Sequence, residues 1–163
     1  MKILTIATSA GEKGKTLTKM RLSLGLIDGY NASNIEGFVE RLSQTLPALS
    51  IYAQQLGTKF EAGSGIAELM ARSALALQES ANLKHTYWQV CNTEIPATYD
   101  ITFSCENETI GEYVARAAFR IVRSALYRQR YSVWPDINML ILLTQQVRKA
   151  PIISMPVNAK LAV

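Results

Sequence analysis

The sequence predicts a helix-rich α+β domain, and three observations carry that prediction. Thr18, Met20, Leu22, Leu24 and Leu26 alternate with Lys19, Arg21, Ser23 and Gly25, the period of two that belongs to a strand. A second pair of alternating runs lies at 85–91 and 99–105. Segments of helical period, opened by capping residues at Ser33, Ser64, Thr109 and Asp136, fill the rest. Strands and helices are only partly interleaved, which argues for α+β rather than a parallel sheet with crossover helices. With no internal repeat or linker, the 163 residues read as one domain, 1–163, of which 150–163 form an extended C-terminal arm.

Each element has a local reason. Lys2-Ile3-Leu4-Thr5-Ile6-Ala7 is an apolar strand, and residues 2–8 and 16–27 pair as a hairpin across the glycine-containing segment 9–15. Leu17, Met20, Leu24 and Ile27 also fit a helix, but the longer run of alternation favours the strand. Asp28-Gly29-Tyr30-Asn31 reads as a turn. Ser33 with Glu36 then forms a capping box, and Phe38, Leu42, Leu46 and Leu49 give one apolar stripe. Pro47 kinks or splits that helix, and Gly57 stops it. Ser64 opens a helix to about Ala81, with Ile66, Leu69, Met70, Ser73 and Leu77 on one face and small residues such as Ala67, Ala71, Ala74 and Ala76 allowing close packing. Thr86, Trp88 and Val90 mark one strand and Tyr99, Ile101, Phe103 and Cys105 another, with Pro96 in the loop between. Thr109 and Glu112 form a capping box for a long helix to about Tyr131, broken by Trp134-Pro135, and Asp136 caps a last helix through Lys149. Pro151 and Pro156 bracket the arm.

The bulk chemistry excludes several function classes. Hydrophobic residues make up 48% and charged residues 18%, a globular composition with little charge. The mean hydropathy of +0.07 points to apolar surface covered by a partner subunit. A net charge of +4 and a pI near 9.1 are too mild to imply a polyanion by themselves. Cys91 and Cys105 lack CxxC or metal-ligand spacing, and one histidine leaves no Cys/His zinc site to build. No metal is expected, and reduced thiols in a cytoplasmic setting are. Lys2 precedes only a short apolar run broken by Thr5 and Thr8, which is not a signal peptide. Met139–Leu143 falls far short of the roughly 20 residues that span a bilayer, so no membrane is expected. Nothing marks His85 as a base for a nucleophilic triad, and Glu106, Glu108 and Glu112 are explained by the positive end of a helix dipole. These readings argue against an enzyme.

One segment points the other way. Strand 2–7 is followed by Ser9-Ala10-Gly11-Glu12-Lys13-Gly14-Lys15-Thr16, and the stretch Lys2–Leu24 resembles the opening of the ParA/MinD family of nucleotide-binding ATPases. The matching positions are Gly11, Gly14, Lys15 and Thr16. The resemblance implies a strand–loop–helix that binds ATP with magnesium: backbone N–H groups cradle the phosphates, Lys15 meets the terminal phosphates and the Thr16 hydroxyl meets Mg²⁺. Ser9, Ala10 and Glu12 stand where that family has glycine, lysine and glycine. The competing reading is a polar hairpin turn with exposed lysines and no cofactor, and this is the one the alternation at 16–27 supports.

The favoured function comes from the helix 109–131. Ile110, Val114, Ala117, Ile121 and Ala125 form its apolar side. Tyr113, Arg116, Arg120, Arg123, Tyr127 and Arg130 form the other, where arginines can grip phosphates and tyrosines can stack on bases. The expected ligand is nucleic acid, RNA or single-stranded DNA, bound without sequence preference. Lys13, Lys15, Lys19 and Arg21 could extend the positive area. The alternative is a solvated face paired with Glu106, Glu108 and Glu112. The apolar arm Pro151–Val157 and the nearly all-round apolar segment 137–143 add self-association. The sequence therefore predicts a non-enzymatic nucleic-acid-binding assembly subunit, a homo-oligomer or part of a larger complex, with the phosphate-loop protein as the alternative.

Overall fold

The computed structural model describes residues 1–11, 15–25, 37–50 and 62–149. Among them are four α-helices and one four-stranded antiparallel sheet. Chain order is β1 (Lys2–Ala10), β2 (Thr16–Ser23), α1 (Phe38–Thr45), a 3₁₀ turn (Pro47–Leu49), α2 (Ala62–Ser80), β3 (Trp88–Asn92), β4 (Thr98–Cys105), α3 (Glu108–Leu126) and α4 (Trp134–Lys149). The α+β class, the N-terminal hairpin and the second strand pair are all present. The proposed arm 150–163, the turn 28–31, the Ser33 capping box and the Gly57 stop lie outside the described residues.

The sheet order is β1-β2-β4-β3. Two local hairpins are joined by the long-range pairing of β2 with β4, in register Thr18↔Phe103, Met20↔Ile101 and Leu22↔Tyr99. Register sets the two faces, because side chains alternate across a strand. Thr18, Met20, Leu22, Ile101, Phe103 and Cys105 are buried under the helices. Lys19, Arg21, Asp100 and Thr102 occupy the uncovered face, where polar side chains remain solvated.

The helices bury the stripes their periodicity marked. Phe38, Leu42, Leu46 and Leu49 enter the core from α1 and the turn after it, Ile66, Met70 and Leu77 from α2, and Ile110, Val114, Ala117 and Ile121 from α3.

Several boundaries differ from expectation, each for a local reason. At Pro47 the split, one of the two expected outcomes, is the one observed: Leu46 before it takes φ −130 and ψ 88, as a residue preceding proline is driven to do, and the chain continues as a 3₁₀ turn. β3 begins at Trp88 because the N–H groups of Thr86 and Tyr87 are drawn to Ser104 Oγ at 2.9 and 3.1 Å. Asn107, not Thr109, caps α3: its Oδ1 accepts from the Ile110 N–H at 2.9 Å. That helix stops at Leu126, short of Tyr131, because Arg128 turns left-handed and the Gln129 N–H returns to the Ser124 carbonyl at 2.8 Å. Trp134-Pro135 opens α4 rather than merely breaking the chain before it, since proline is tolerated in a helix's first turn.

Candidate functional site

Where the ParA/MinD resemblance implies a helix after Thr16, the chain runs into strand β2. β1 and β2 pair as an antiparallel hairpin, so Thr16 is the first residue of β2, paired with Ala10 on one side and Cys105 on the other. Gly11 donates its N–H to the Lys15 carbonyl at 2.7 Å, closing the turn, and Lys15 Nζ donates to Thr86 Oγ1 at 3.1 Å. Gly14 lies outside the described residues. Thr16 leads directly into β2 and not into a helix N-terminus, which would supply the dipole and N–H groups that such a loop needs. Lys15 instead borders a cavity of about 430 Å³ on the uncovered sheet face, with Leu17, Tyr87, Thr102 and Ser104.

Tyr127 caps the end of α3 and Arg130 lies past it, so of the expected basic face Tyr113, Arg116, Arg120 and Arg123 stand on α3. Its opposite side is buried, and Arg116, Arg120, Arg123, Tyr127 and Arg130 are exposed, with Tyr113 half-buried. The six residues have different roles. Arg116 pairs with Glu112 at 2.8 Å across one helical turn, and both side chains are more than half exposed. Arg120 reaches Asp136 at 2.6 Å, on α4, and Asp136 is buried. Tyr113 Oη and Tyr131 Oη donate to the same carboxylate, and Arg120 Nε donates to Tyr131 Oη at 3.1 Å. Burial, and then the bond to Asp136, pushes the Tyr113 phenol up to about 12 and raises that of Tyr131. Burial works against the Arg120 charge, but its bonds to Tyr131 and Asp136 outweigh this and hold it firmly protonated. This network clamps α4 to α3.

What α3 leaves open is a groove of about 360 Å³ against the start of β1. Lys2, Ile3, Arg116, Phe119, Arg120 and Arg123 line it. Tyr127 and Arg130 lie beyond its end. Arg130 belongs to a different cavity, of about 420 Å³, shared with Arg41 of α1, Gln44, Arg128, Gln129 and Tyr131. Arg41 Nε donates to the Ala125 carbonyl at 2.9 Å, and burial followed by the nearby charge of Arg128 lowers its pKa. The helical period alone groups Arg116, Arg120 and Arg123. It does not find Lys2, Arg41 or Arg128, and of these Arg128 alone carries a sequence signal, the cationic run Tyr127-Arg128-Gln129-Arg130.

Among the described residues, no group of three or more His, Cys, Asp or Glu could hold a metal ion, and no helix is long and apolar enough to cross a membrane. Cys91 is exposed and Cys105 buried, both as free thiols.

Comparison with known proteins then overturns the nucleic-acid reading. Residues 19–127 match the family model described as the cyanophycin synthase-like N-terminal domain. The cyanophycin synthetase of Trichormus variabilis is 30% identical over 142 residues, 80% of this chain and 16% of that protein. The cyanophycin synthetase of Synechocystis sp. is 28% identical over 144 residues, 82% of this chain and 16% of that protein. The chain thus spans 16% of the length of these curated relatives. A family named for a biosynthetic enzyme replaces the expected nucleic-acid-binding, self-associating assembly subunit. An arginine face with interleaved tyrosines did not identify its ligand, because phosphates and carboxylates are recognised by the same guanidinium geometry.

Proposed function

The chain belongs to the cyanophycin synthase-like N-terminal domain family, and from that membership we propose that it is the substrate-holding module of a synthetase that works on amino acids or peptides. The ligand it holds is a carboxylate-rich peptide, seated in the groove between β1 and α3. The observation that carries this reading is the convergence of Lys2, Arg116, Arg120 and Arg123 on one groove. Arginine forks match carboxylates bidentately. Arg120 is held in place by Asp136 and Tyr131 and presents a fixed charge at the groove wall. The Arg116–Glu112 pair is solvent-exposed, and such pairs contribute at most about 1 kcal/mol, so an incoming carboxylate can exchange with Glu112. Phe119 and Ile3 give the peptide stem an apolar floor. The ATP and magnesium of a synthetase belong, on this reading, to the part of the relatives beyond the matched region, because Ser9, Ala10 and Thr16 are paired strand residues and Thr16 opens no helix.

The test is fluorescence anisotropy with a labelled oligo-aspartate peptide. The chain should bind it, more weakly as salt rises. Reversing Arg116 and Arg123 to Glu should weaken binding by about tenfold or more, the cost of losing charge-assisted contacts. Equal affinity in wild type and the double variant, or equal affinity for oligo-lysine, overturns the proposal.

A further inference from the structure

β1 is an edge strand. In the order β1-β2-β4-β3 it pairs with β2 on one side, and among the described residues no strand pairs with the other. No residue of β1 is buried. The hydrogen bond from the Gly11 N–H to the Lys15 carbonyl fixes the phase of the β1–β2 ladder. In an antiparallel pair, residues alternate between bonding the partner strand and facing away from it. Ser9, Ala7 and Thr5, opposite Leu17, Lys19 and Arg21, therefore bond β2. Ile6 and Thr8 turn their N–H and C=O groups outward.

Natural edges are blunted by charge, proline or a bulge. β1 has Lys2 and a register shift between Ile3 and Thr5 at its start. From Thr5 to Ala10 it has no charge, no proline and no bulge, so an incoming strand can pair there.

What lies beside that edge is cationic. Helix α3 packs against β1 and β2. Near its start Gly111 lies against Thr18, the partner of Thr8. Toward its end Arg123 sits by the Met1 ammonium, which burial disfavours first and the Arg123 charge next. The helix thus follows the strand backwards. At about 1.5 Å per helical residue and about 3.3 Å per strand residue, Arg116 falls near the level of Ile6 and Arg123 near the start of β1. Arg116, Arg120 and Arg123 are all exposed. Arg116 and Arg120 are separated by about 6 Å along the axis, and alternate side chains of a strand repeat at about 6.6 Å. One face of an added strand therefore keeps step with the arginines.

We propose that a carboxylate-rich peptide binds as an added strand on the outer edge of β1, its main chain bonding Ile6 and Thr8 and every second side chain turned onto Arg116, Arg120 and Arg123. This mode rests on the peptide reading above. Main-chain pairing holds the peptide, and the arginines read alternate positions along it.

The experiment is amide hydrogen exchange of the full chain, followed residue by residue by NMR, with and without octa-aspartate. Without peptide, the Ile6 and Thr8 amides should exchange fast and those of Thr5, Ala7 and Ser9 slowly. With peptide at about ten times its Kd, exchange at Ile6 and Thr8 should slow by about tenfold, the factor by which the unbound fraction falls. Two further peptides of equal charge are compared by anisotropy, one alternating Asp and Ser and one with all its Asp before its Ser. The block peptide turns fewer carboxylates onto α3 and should bind about fivefold or more weakly. Failure of octa-aspartate to bind overturns the peptide reading and the added strand with it. Three results overturn the added strand alone: octa-aspartate bound with unchanged exchange at Ile6 and Thr8, equal affinity for the alternating and block peptides, or Ile6 and Thr8 amides already slow without peptide.

Discussion

Asp100 lies on the uncovered face of the sheet with two cations on its carboxylate. Arg21 grips it bidentately at 2.7 and 2.9 Å, and Lys19 adds an ion pair at 2.9 Å. The hydrogen bonds from Arg21 are the main reason its pKa falls to about 2; burial opposes the shift and Lys19 reinforces it. An unfolded aspartate titrates near 3.9. The folded state therefore binds the proton less readily, and the stabilisation is complete above about pH 4 and disappears as pH falls through about 2. Lys19 and Arg21 are 53% and 40% exposed, so solvent screening reduces the effect to about 1 kcal/mol. Asp100→Asn should lose that amount at pH 7 and converge with wild type near pH 2, as urea denaturation at a series of pH values would show. Parallel stability curves for the two proteins would mean that the cluster contributes nothing. The alternation in the sequence places Lys19, Arg21 and Asp100 on the outer sides of their strands, but only the β2–β4 register puts Arg21 opposite Asp100 and Lys19 one pair away on the same face.

At the scale of elements, the β3–β4 hairpin holds one strained residue. Ala97 has φ 52 in the five-residue loop between Asn92 and Thr98. Thr93 organises that loop: its Oγ1 donates toward the carbonyls of Ile95 and Thr98, each at 3.1 Å. Ala97→Gly should remove the left-handed strain while giving back some unfolded-state entropy, a net gain of about 0.5–1 kcal/mol. A lower melting temperature for the glycine variant would refute this. Element existence and type were legible because burial imposes a period: two for β2 and β4, 3.6 for α1, α2 and α3. Element ends were less legible because tertiary contacts decide them. Ser104 shortens β3 by taking two N–H groups with its side chain, and Arg128 ends α3 in a conformation its identity does not announce. The choice of Asn107 over Thr109 as cap was a contest between two suitable residues two positions apart, which sequence alone cannot rank.

At the scale of the whole molecule, the helices cover one side of the sheet, and α3 binds the parts together: it meets β2 below, α1 and α2 beside it, and α4 through the Asp136 network. This is also why the candidate site was only half legible. The helical period gives Arg116, Arg120 and Arg123 a common face, but Lys2, Arg41 and Asp136 reach α3 only through long-range packing. At Gly111, α3 lies against the sheet with no room for a side chain. A Cβ there would collide with Thr18 Oγ1 and come within 2.6 Å of Cys105 Sγ, atoms that already contact each other at 3.1 Å. Both lie in buried residues at the joint of β2, β4 and α3, so neither can swing into solvent. Gly111→Ala must therefore lift α3 from the sheet or distort the β2–β4 pairing, at about 3 kcal/mol, against a helix-propensity gain of about 1 kcal/mol. Trimming the obstacle with Thr18→Ala in the same chain should restore part of the loss, because the Oγ1 collision is then gone while that with Cys105 remains. Urea unfolding of the two single variants and the double variant gives the coupling directly, and residues in contact should depart from additivity by more than about 0.5 kcal/mol. A Gly111→Ala protein as stable as wild type, or additive losses in the double variant, would show that α3 does not rest on the sheet at this point.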